Sequence, residues 1–163
     1  MGIKMTDPTP TPALRAEPPL KGEGKEPAQV TFSFGDSPEM ANELLALVLA
    51  GTKTATCGPL RNFPDGSPDM PVVGRRDIVL DGAGRRAAVI ETVEVTVRRF
   101  DEIDEAFAYD EGEGFRTVAD WREGHQRYFE RNGGFSPDME LVCERFKLVE
   151  ILDPQSLTTS RHK

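Results

Sequence analysis

A lysine and three threonines lie close together in the stretch GTKTATC, residues 51–57. Lys53 and Thr56 stand three positions apart. A threonine hydroxyl is a weak nucleophile until a neighbouring base removes its proton, and a lysine can be that base where burial lowers its pKa. The same residue types also have structural uses, because lysine stabilises a helix C-terminus and threonine is common in strands. The spacing therefore indicates either a catalytic corner or an ordinary helix end.

A cluster of carboxylates occurs further along the chain, in the stretch YDEGEGF. Asp110, Glu111 and Glu113 lie between glycines that allow tight turns. Clustered carboxylates raise the pKa of one another, which makes them plausible proton carriers. The structural alternative is an acidic helix end followed by a glycine cap.

Aromatic residues and a histidine share one face of the next helical stretch, WREGHQRYF. Trp121 offers a ring on which a nucleic-acid base can stack. Aromatic residues at helical spacing are more often part of a core, and His125 is more readily explained as a buried, hydrogen-bonded side chain than as a base.

The elements that must hold these residues can be predicted from the pattern of apolar residues. Alternation predicts a strand at residues 30–34, and helical spacing predicts a helix at 38–49, with Ser37 as its cap and Gly51 just past its end. A loop at 58–74, two strands before residue 100, two helices and a closing strand follow. The order predicts an α+β fold with a mainly antiparallel, barrel-like sheet and about three helices.

Composition divides the 163 residues into a domain and two tails. Residues 1–29 hold six of the 13 prolines and no aromatic residue, so we expect a disordered N-terminal arm. The domain is predicted to span 30–152, followed by a C-terminal tail at 153–163. The longest apolar run is seven residues, far below the ~20 of a membrane helix, so we expect no membrane partner and a cytoplasmic location.

Charge and cysteine content restrict the partners. The net charge of −8 argues against tight, sequence-independent binding to duplex nucleic acid, although the arginine doublets near the middle of the chain allow a small basic site. The two cysteines and two histidines show neither CxxC nor HxxxH spacing. We therefore expect no structural metal and no cofactor, and the oligomeric state stays open.

Four blocks, in this order and spacing, resemble the ASCH domain, a family related to the PUA-like RNA-binding barrels. The blocks are FSFGDSPEMANELLALVLAGTKTAT, FDEIDEAFAYDEGEG, WREGHQRYF and ERFKLV. The resemblance covers about residues 32–149 and implies a small, mainly antiparallel β-barrel flanked by about three helices. It also implies a cleft lined by residues 51–53.

The branch of this family that resembles the chain includes acylcytidine amidohydrolases and ribonucleases, while other members are thought only to bind RNA. In the amidohydrolase branch Lys53 would activate Thr56 to attack an amide carbonyl, and Glu111 would carry the proton to the leaving amine. A charged Glu111 beside Lys53 would oppose this role by raising the lysine pKa, so either burial must outweigh that effect or the two groups must share a proton.

We expect a nucleoside or single-stranded RNA as partner. The substrate-binding residues would be Gly51, Thr54, Arg61, Trp121, Arg122 and His125. The chain departs from the family pattern at Gly58, which commonly is arginine, and at Phe115, often aspartate; Arg61 is a candidate replacement. The alternatives are an RNA-binding module without catalysis and a metal-independent ribonuclease, in which Lys53 stabilises the phosphorane.

Overall fold

The structure is a computed structural model that describes residues 4–6 and 29–152. Its strands are β1 (Lys4–Thr6), β2 (Thr31–Phe34), β3 (Ala55–Pro59), β4 (Arg76–Leu80), β5 (Arg86–Arg99) and β6 (Glu140–Ile151). Its helices are α1 (Pro38–Leu49), α2 (Glu105–Asp110) and α3 (Val118–Arg131), with short 3-10 turns at Leu60–Asn62 and Phe100–Glu102.

The six strands form one sheet in the order β1–β2–β4–β5–β6–β3. Only the β2–β4 pair is parallel among the described strands. The edge strands β1 and β3 come within 8 Å of each other between Cα atoms, yet no ladder joins them in the described part of the chain. The predicted α+β class with a mainly antiparallel sheet and three helices is confirmed, but the sheet is open where a closed barrel was expected.

Helix α1 begins and ends where its sequence signals predict. The Ser37 hydroxyl accepts a hydrogen bond from the Met40 amide at 3.1 Å, and Pro38 occupies the first turn. Gly51 lies just past the C-terminus with φ +82°, a conformation that glycine adopts without strain. The chain therefore leaves α1 at a fixed point and enters β3 through residues 52–54.

Two apolar clusters lie on either side of this crossing. In one cluster, α1 packs on Phe32, Phe34 and Phe146 of the sheet. In the other, α2 and α3 pack on β3 and the start of β6, and the large buried side chains are Phe100, Phe107, Trp121, Tyr128, Phe129 and Leu141. Ala55 and Cys57 of β3 belong to the second cluster, which explains why they are buried, whereas Thr52 is exposed and Thr54 is half-buried.

The predicted domain limits are only partly covered by the described residues. Lys4–Thr6, which were assigned to the disordered arm, form strand β1 and pair with β2. The rest of the predicted arm and the tail at 153–163 lie outside the described residues, so those two boundaries stay predictions. None of the described helices has the length and apolar character that crossing a bilayer requires.

Candidate functional site

Lys53 lies in a buried network between the start of β3 and the end of α2. Its side chain is buried, and Nζ donates hydrogen bonds to the Ala55 carbonyl at 2.8 Å, the Glu111 carbonyl at 3.2 Å and Glu113 Oε2 at 2.9 Å. The ring centroid of Phe34 is 5.5 Å from Nζ. An ammonium has three N–H groups, so the three bonds use all of them.

The electrostatic surroundings keep Lys53 charged. Burial lowers the pKa of the Lys53 ammonium, but the carboxylates of Glu113 and Glu111 outweigh it, so the net change in pKa is upward. Burial raises the pKa of the Glu111 carboxyl, yet Lys53 and His125 hold that pKa below its usual range. This geometry supports an ammonium and a carboxylate, not the neutral amine that a lysine base requires.

The close approach of the carboxylate segment to Lys53 depends on Gly112. This residue has φ +69°, and a Cβ built there would overlap the Thr52 carbonyl and lie 2.7 Å from the Lys53 Cα. The Thr54 amide also donates to the Asp110 carbonyl at 2.8 Å. The end of α2 is therefore tied by its backbone to the segment that enters β3.

A second buried group lies beside this network. Glu111 Oε1 is 3.1 Å from His125 Nε2, and the other ring nitrogen, Nδ1, is 3.1 Å from the Trp121 carbonyl oxygen. Ligand atoms of Cys57, Glu111 and His125 all lie within 4.8 Å of one another. Burial raises the pKa of the Cys57 thiol and the Glu111 carboxylate raises it further, so the thiol is held protonated.

Thr56 lines a small cleft at the β3–β6 edge of the sheet. The cleft is small, with a free volume of about 10 Å³, roughly the space of one water molecule. It is lined by Thr56, Cys57, Gly58, Phe63, Pro71, Val142 and Glu144. The Thr56 hydroxyl is buried and has no hydrogen-bond partner among the described residues. Thr56 pairs with Glu144 across the two strands, and Glu144 Oε2 accepts a hydrogen bond from the Thr92 hydroxyl at 2.6 Å.

The outer wall of the cleft belongs to the long loop at 60–74, which a buried arginine anchors. Arg75 donates to both carboxylate oxygens of Asp77 at 2.7 and 3.0 Å. Its remaining terminal nitrogen donates to the carbonyls of Pro68 and Met70 at 3.0 and 3.1 Å. Charge-assisted bidentate pairs of this kind are strong, so the loop beside the cleft is held against the sheet.

The residues predicted to form one site occupy different places. Lys53 and Glu111 share the buried network, whereas Thr56 lines the cleft, and Lys53 makes no hydrogen bond to Thr56. Thr54 is half-buried, with its hydroxyl 3.4 Å from the Asp110 carbonyl. Gly51 is exposed just past α1 and contributes no side chain.

The predicted binding residues on α3 are mostly structural in this arrangement. Trp121 is fully buried and stacks on His125 with ring centroids 4.1 Å apart, so it offers no exposed face to a base. Arg122 donates to backbone carbonyls at 3.4 Å near the Phe100–Glu102 turn. Arg61 is exposed and donates to the Gly134 carbonyl at 2.9 Å, away from the cleft lining.

Three chemically important residues were not chosen from the sequence. Glu113 was noted in the acidic cluster, but Glu111 was preferred to it as the functional carboxylate. Cys57 and Glu144 gave no signal of their own, because each lies in an ordinary strand pattern. Only the pairing of β3 with β6 brings Glu144 opposite Thr56, and this pairing is not readable from local spacing.

Comparison with known proteins relates the chain to solved structures. The ASCH domain family model matches residues 30–150. A protein of Enterococcus faecalis V583, from the family DUF984, is 36% identical with a TM-score of 0.70, covering 80% of this chain and 82% of that one. The ASCH domain of Lactobacillus crispatus JV V101 is 30% identical with a TM-score of 0.71, covering 80% of this chain and 87% of that one. A search of curated proteins gave no significant match.

The open, mainly antiparallel sheet with three helices defines an α+β domain of the PUA-like type. The chain belongs to the ASCH domain family. Domains with this fold often bind RNA. The family predicted from the four sequence blocks is thus confirmed, while the activity and the substrate are matters of proposal.

Proposed function

We propose that this ASCH domain is a hydrolase that cleaves the amide bond of an acylated, cytidine-like nucleoside in the cleft beside Thr56. The observation that carries the proposal is the Thr56 hydroxyl, which is buried at the cleft wall and lacks a hydrogen-bond partner among the described residues. A buried polar group without a partner is costly and calls for an explanation. The amide group of a substrate at the mouth of the cleft would supply the missing partner.

Thr56 acts as the nucleophile and Glu144 as the base in this proposal. The hydroxyl oxygen attacks the amide carbonyl carbon, and its proton passes to the Glu144 carboxylate. The C–N bond then breaks, and the departing exocyclic amine takes that proton. Water hydrolyses the resulting threonine ester and restores the hydroxyl. Glu144 suits this role because it stands opposite Thr56 in the ladder and the Thr92 hydroxyl orients it. The two side chains share no hydrogen bond in the free protein, so substrate binding has to bring the Thr56 hydroxyl within reach of the carboxylate.

Lys53 and Glu111 act as positioning residues in the proposal. The Lys53 ammonium already donates three hydrogen bonds, one of them to the Ala55 carbonyl directly before Thr56. It therefore fixes the backbone that carries the nucleophile, and Glu111 contributes to the charge that keeps Lys53 protonated. This assignment replaces the lysine base and the glutamate proton carrier expected from the family resemblance.

The surface charges favour a nucleoside over an RNA polymer. The arginines of the central doublets mostly pair with neighbouring carboxylates: Arg75 with Asp77, Arg76 with Glu91, Arg85 with Asp81, Arg98 with Asp104, and Arg99 with Asp101. Such pairs leave less positive charge to neutralise a phosphate backbone. A small, neutral substrate needs no such charge, and we keep the cytoplasm as its expected compartment.

The test is turnover of a panel of acylated cytidines and a short labelled RNA by the wild type and five variants, one of which is Lys53→Met. Thr56→Val keeps the side-chain shape and should lower turnover on the order of a thousandfold or more, because it removes the nucleophile. Glu144→Gln should lower it about 10²–10⁴-fold. Thr56→Ser should keep measurable turnover, and Thr96→Val, in a strand threonine outside the cleft, should match the wild type.

Each rival function gives a different pattern. Full amide hydrolysis by Thr56→Val would refute the nucleophile. An RNA-binding module gives no turnover by the wild type and binds RNA with an affinity that falls as salt rises. A ribonuclease that uses Lys53 cleaves the RNA, tolerates Thr56→Val and fails with Lys53→Met. Circular dichroism of every variant separates lost chemistry from lost folding.

A further inference from the structure

The side chains of Cys57, Glu111 and His125 converge from three separate elements on one buried point. Cys57 lies in β3, Glu111 is the residue directly after α2, and His125 lies in the middle of α3. Their sulfur, oxygen and nitrogen atoms lie within 4.8 Å of one another, and all three residues are buried. Thiolate, imidazole and carboxylate are the ligands that zinc-type ions take in proteins.

The hydrogen bonding of His125 leaves a place for a proton or a metal ion at this point. Nδ1 faces the Trp121 carbonyl oxygen, which only accepts, so Nδ1 carries a hydrogen. Nε2 then faces Glu111 Oε1 at 3.1 Å, and in a neutral ring both of these atoms are acceptors. Either a proton or a metal ion must lie at this contact. A metal-binding histidine typically donates its other ring N–H to a backbone carbonyl or a carboxylate, as Nδ1 of His125 does here.

A second, independent observation points to a ligand. Glu111 Oε2 is fully buried and has no hydrogen-bond partner of normal length among the described residues, and the side chain that interacts with the Glu111 carboxylate from β3 is the Cys57 thiol. A buried carboxylate oxygen without a partner is costly. A metal ion that replaces the Cys57 thiol proton would bind both the thiolate and the carboxylate, whereas a proton shared between Oε1 and Nε2 leaves Oε2 with only the weak thiol donor.

We propose that Cys57, Glu111 and His125 bind a divalent metal ion of the zinc class, with a fourth position for water or a ligand. The charges balance, because a thiolate and a carboxylate match the ion, and the neighbouring Lys53 and Glu113 neutralise each other at 2.9 Å. Tetrahedral bonds of about 2.0–2.3 Å place ligand atoms about 3.3–3.8 Å apart. The cluster therefore has to contract by about 1 Å, and binding releases the Cys57 thiol proton.

The site is buried, so the experiment loads the metal during refolding. The full chain is unfolded with a chelator present, freed of the chelator and refolded with Co²⁺, and the retained metal is measured after desalting. We expect about one ion per chain and a thiolate-to-cobalt charge-transfer absorption band. Cys57→Ser should lose the band and His125→Gln should lose the ion. Cys143→Ser is the matched control, because Cys143 is the cross-strand partner of Cys57 but is not a member of the cluster, and it should keep both.

Several results would overturn the proposal. Wild type that retains no Co²⁺ refutes it, and so does a band that persists in Cys57→Ser or disappears equally in Cys143→Ser. If Cys57→Ser does not fold, the melting temperature decides: Zn²⁺ should raise it for the wild type and for Cys143→Ser but not for His125→Gln. NMR that finds both ring nitrogens of His125 protonated in excess Zn²⁺ shows a proton at the contact and also refutes the metal. Neither Thr56 nor Glu144 is a ligand, so such a failure leaves the proposed hydrolysis to its own test.

Discussion

Replacing Lys53 by methionine tests whether the buried ammonium holds this part of the domain together. The variant keeps the length of the stem and removes the charge. The side chains of Lys53 and Glu113 are 0% and 6% exposed, and Nζ–Oε2 is 2.9 Å. At an effective dielectric of about 20, Coulomb attraction over that distance is roughly 6 kcal/mol. Desolvation of both charges offsets much of this attraction.

The expected loss in the free energy of unfolding is about 3–5 kcal/mol, the usual result of removing one partner of a buried pair. The main cause is the Glu113 carboxylate, which stays buried without its ammonium. A further contribution comes from the carbonyls of Ala55 and Glu111, which lose a donor. Lys53→Met with Glu113→Gln should therefore be more stable than Lys53→Met alone.

Urea unfolding at neutral pH measures these differences for each variant. Arg76→Met is the control, because the Arg76–Glu91 pair has a similar length of 3.1 Å but its arginine is 58% exposed, and its loss should be about 0–1 kcal/mol. The reasoning fails if Lys53→Met lies within about 1 kcal/mol of the wild type. It also fails if adding Glu113→Gln makes the protein less stable still.

Two further predictions concern the backbone and the acid stability of the domain. In urea unfolding, Gly112→Ala should destabilise the domain by about 1–3 kcal/mol more than Gly114→Ala does. Both sites have positive φ, but only at Gly112 does a Cβ overlap the backbone that enters β3. Equal losses would contradict the close approach. Burial raises the pKa of Asp36, but hydrogen bonds from Arg131 and Asn132 outweigh it and hold that pKa below 3.8. The stability gained from Asp36 is therefore present above pH 3.8 and is lost as pH falls through the lower pKa of the folded state. The difference in the free energy of unfolding between the wild type and Asp36→Asn should shrink on acidification. A difference that does not depend on pH would contradict this assignment.

Elements encoded by local patterns could be predicted from the sequence. The alternation at residues 30–34 gave β2, and Ser37, Pro38 and Gly51 marked the ends of α1, because caps and glycine turns act over a few residues. The strand β5 was also predicted. Its pairing carries irregularities near Val89 and Thr92, so simple alternation does not describe which side chains point inward.

The candidate site was predictable only in part, because its contacts join distant residues. The sequence singled out Lys53 and Glu111, and the structure brings them together. The protonation state of Lys53 was not readable, since it depends on Glu113 reaching across the glycine turn. The cluster of Cys57, Glu111 and His125 could not be predicted from residue spacing, because its members come from three elements that lie far apart in the chain.

The position of β3 in the sheet has a consequence for when the cleft can exist during folding. After α1 the chain crosses to the far edge of the sheet, where β3 pairs, among the described strands, only with β6, the last of them. Contacts between residues far apart in sequence form late, because closing a long loop costs entropy before any contact is made. Thr56 therefore meets Glu144 only after nearly the whole domain has left the ribosome, and a partly synthesised chain has no cleft in which to bind or react.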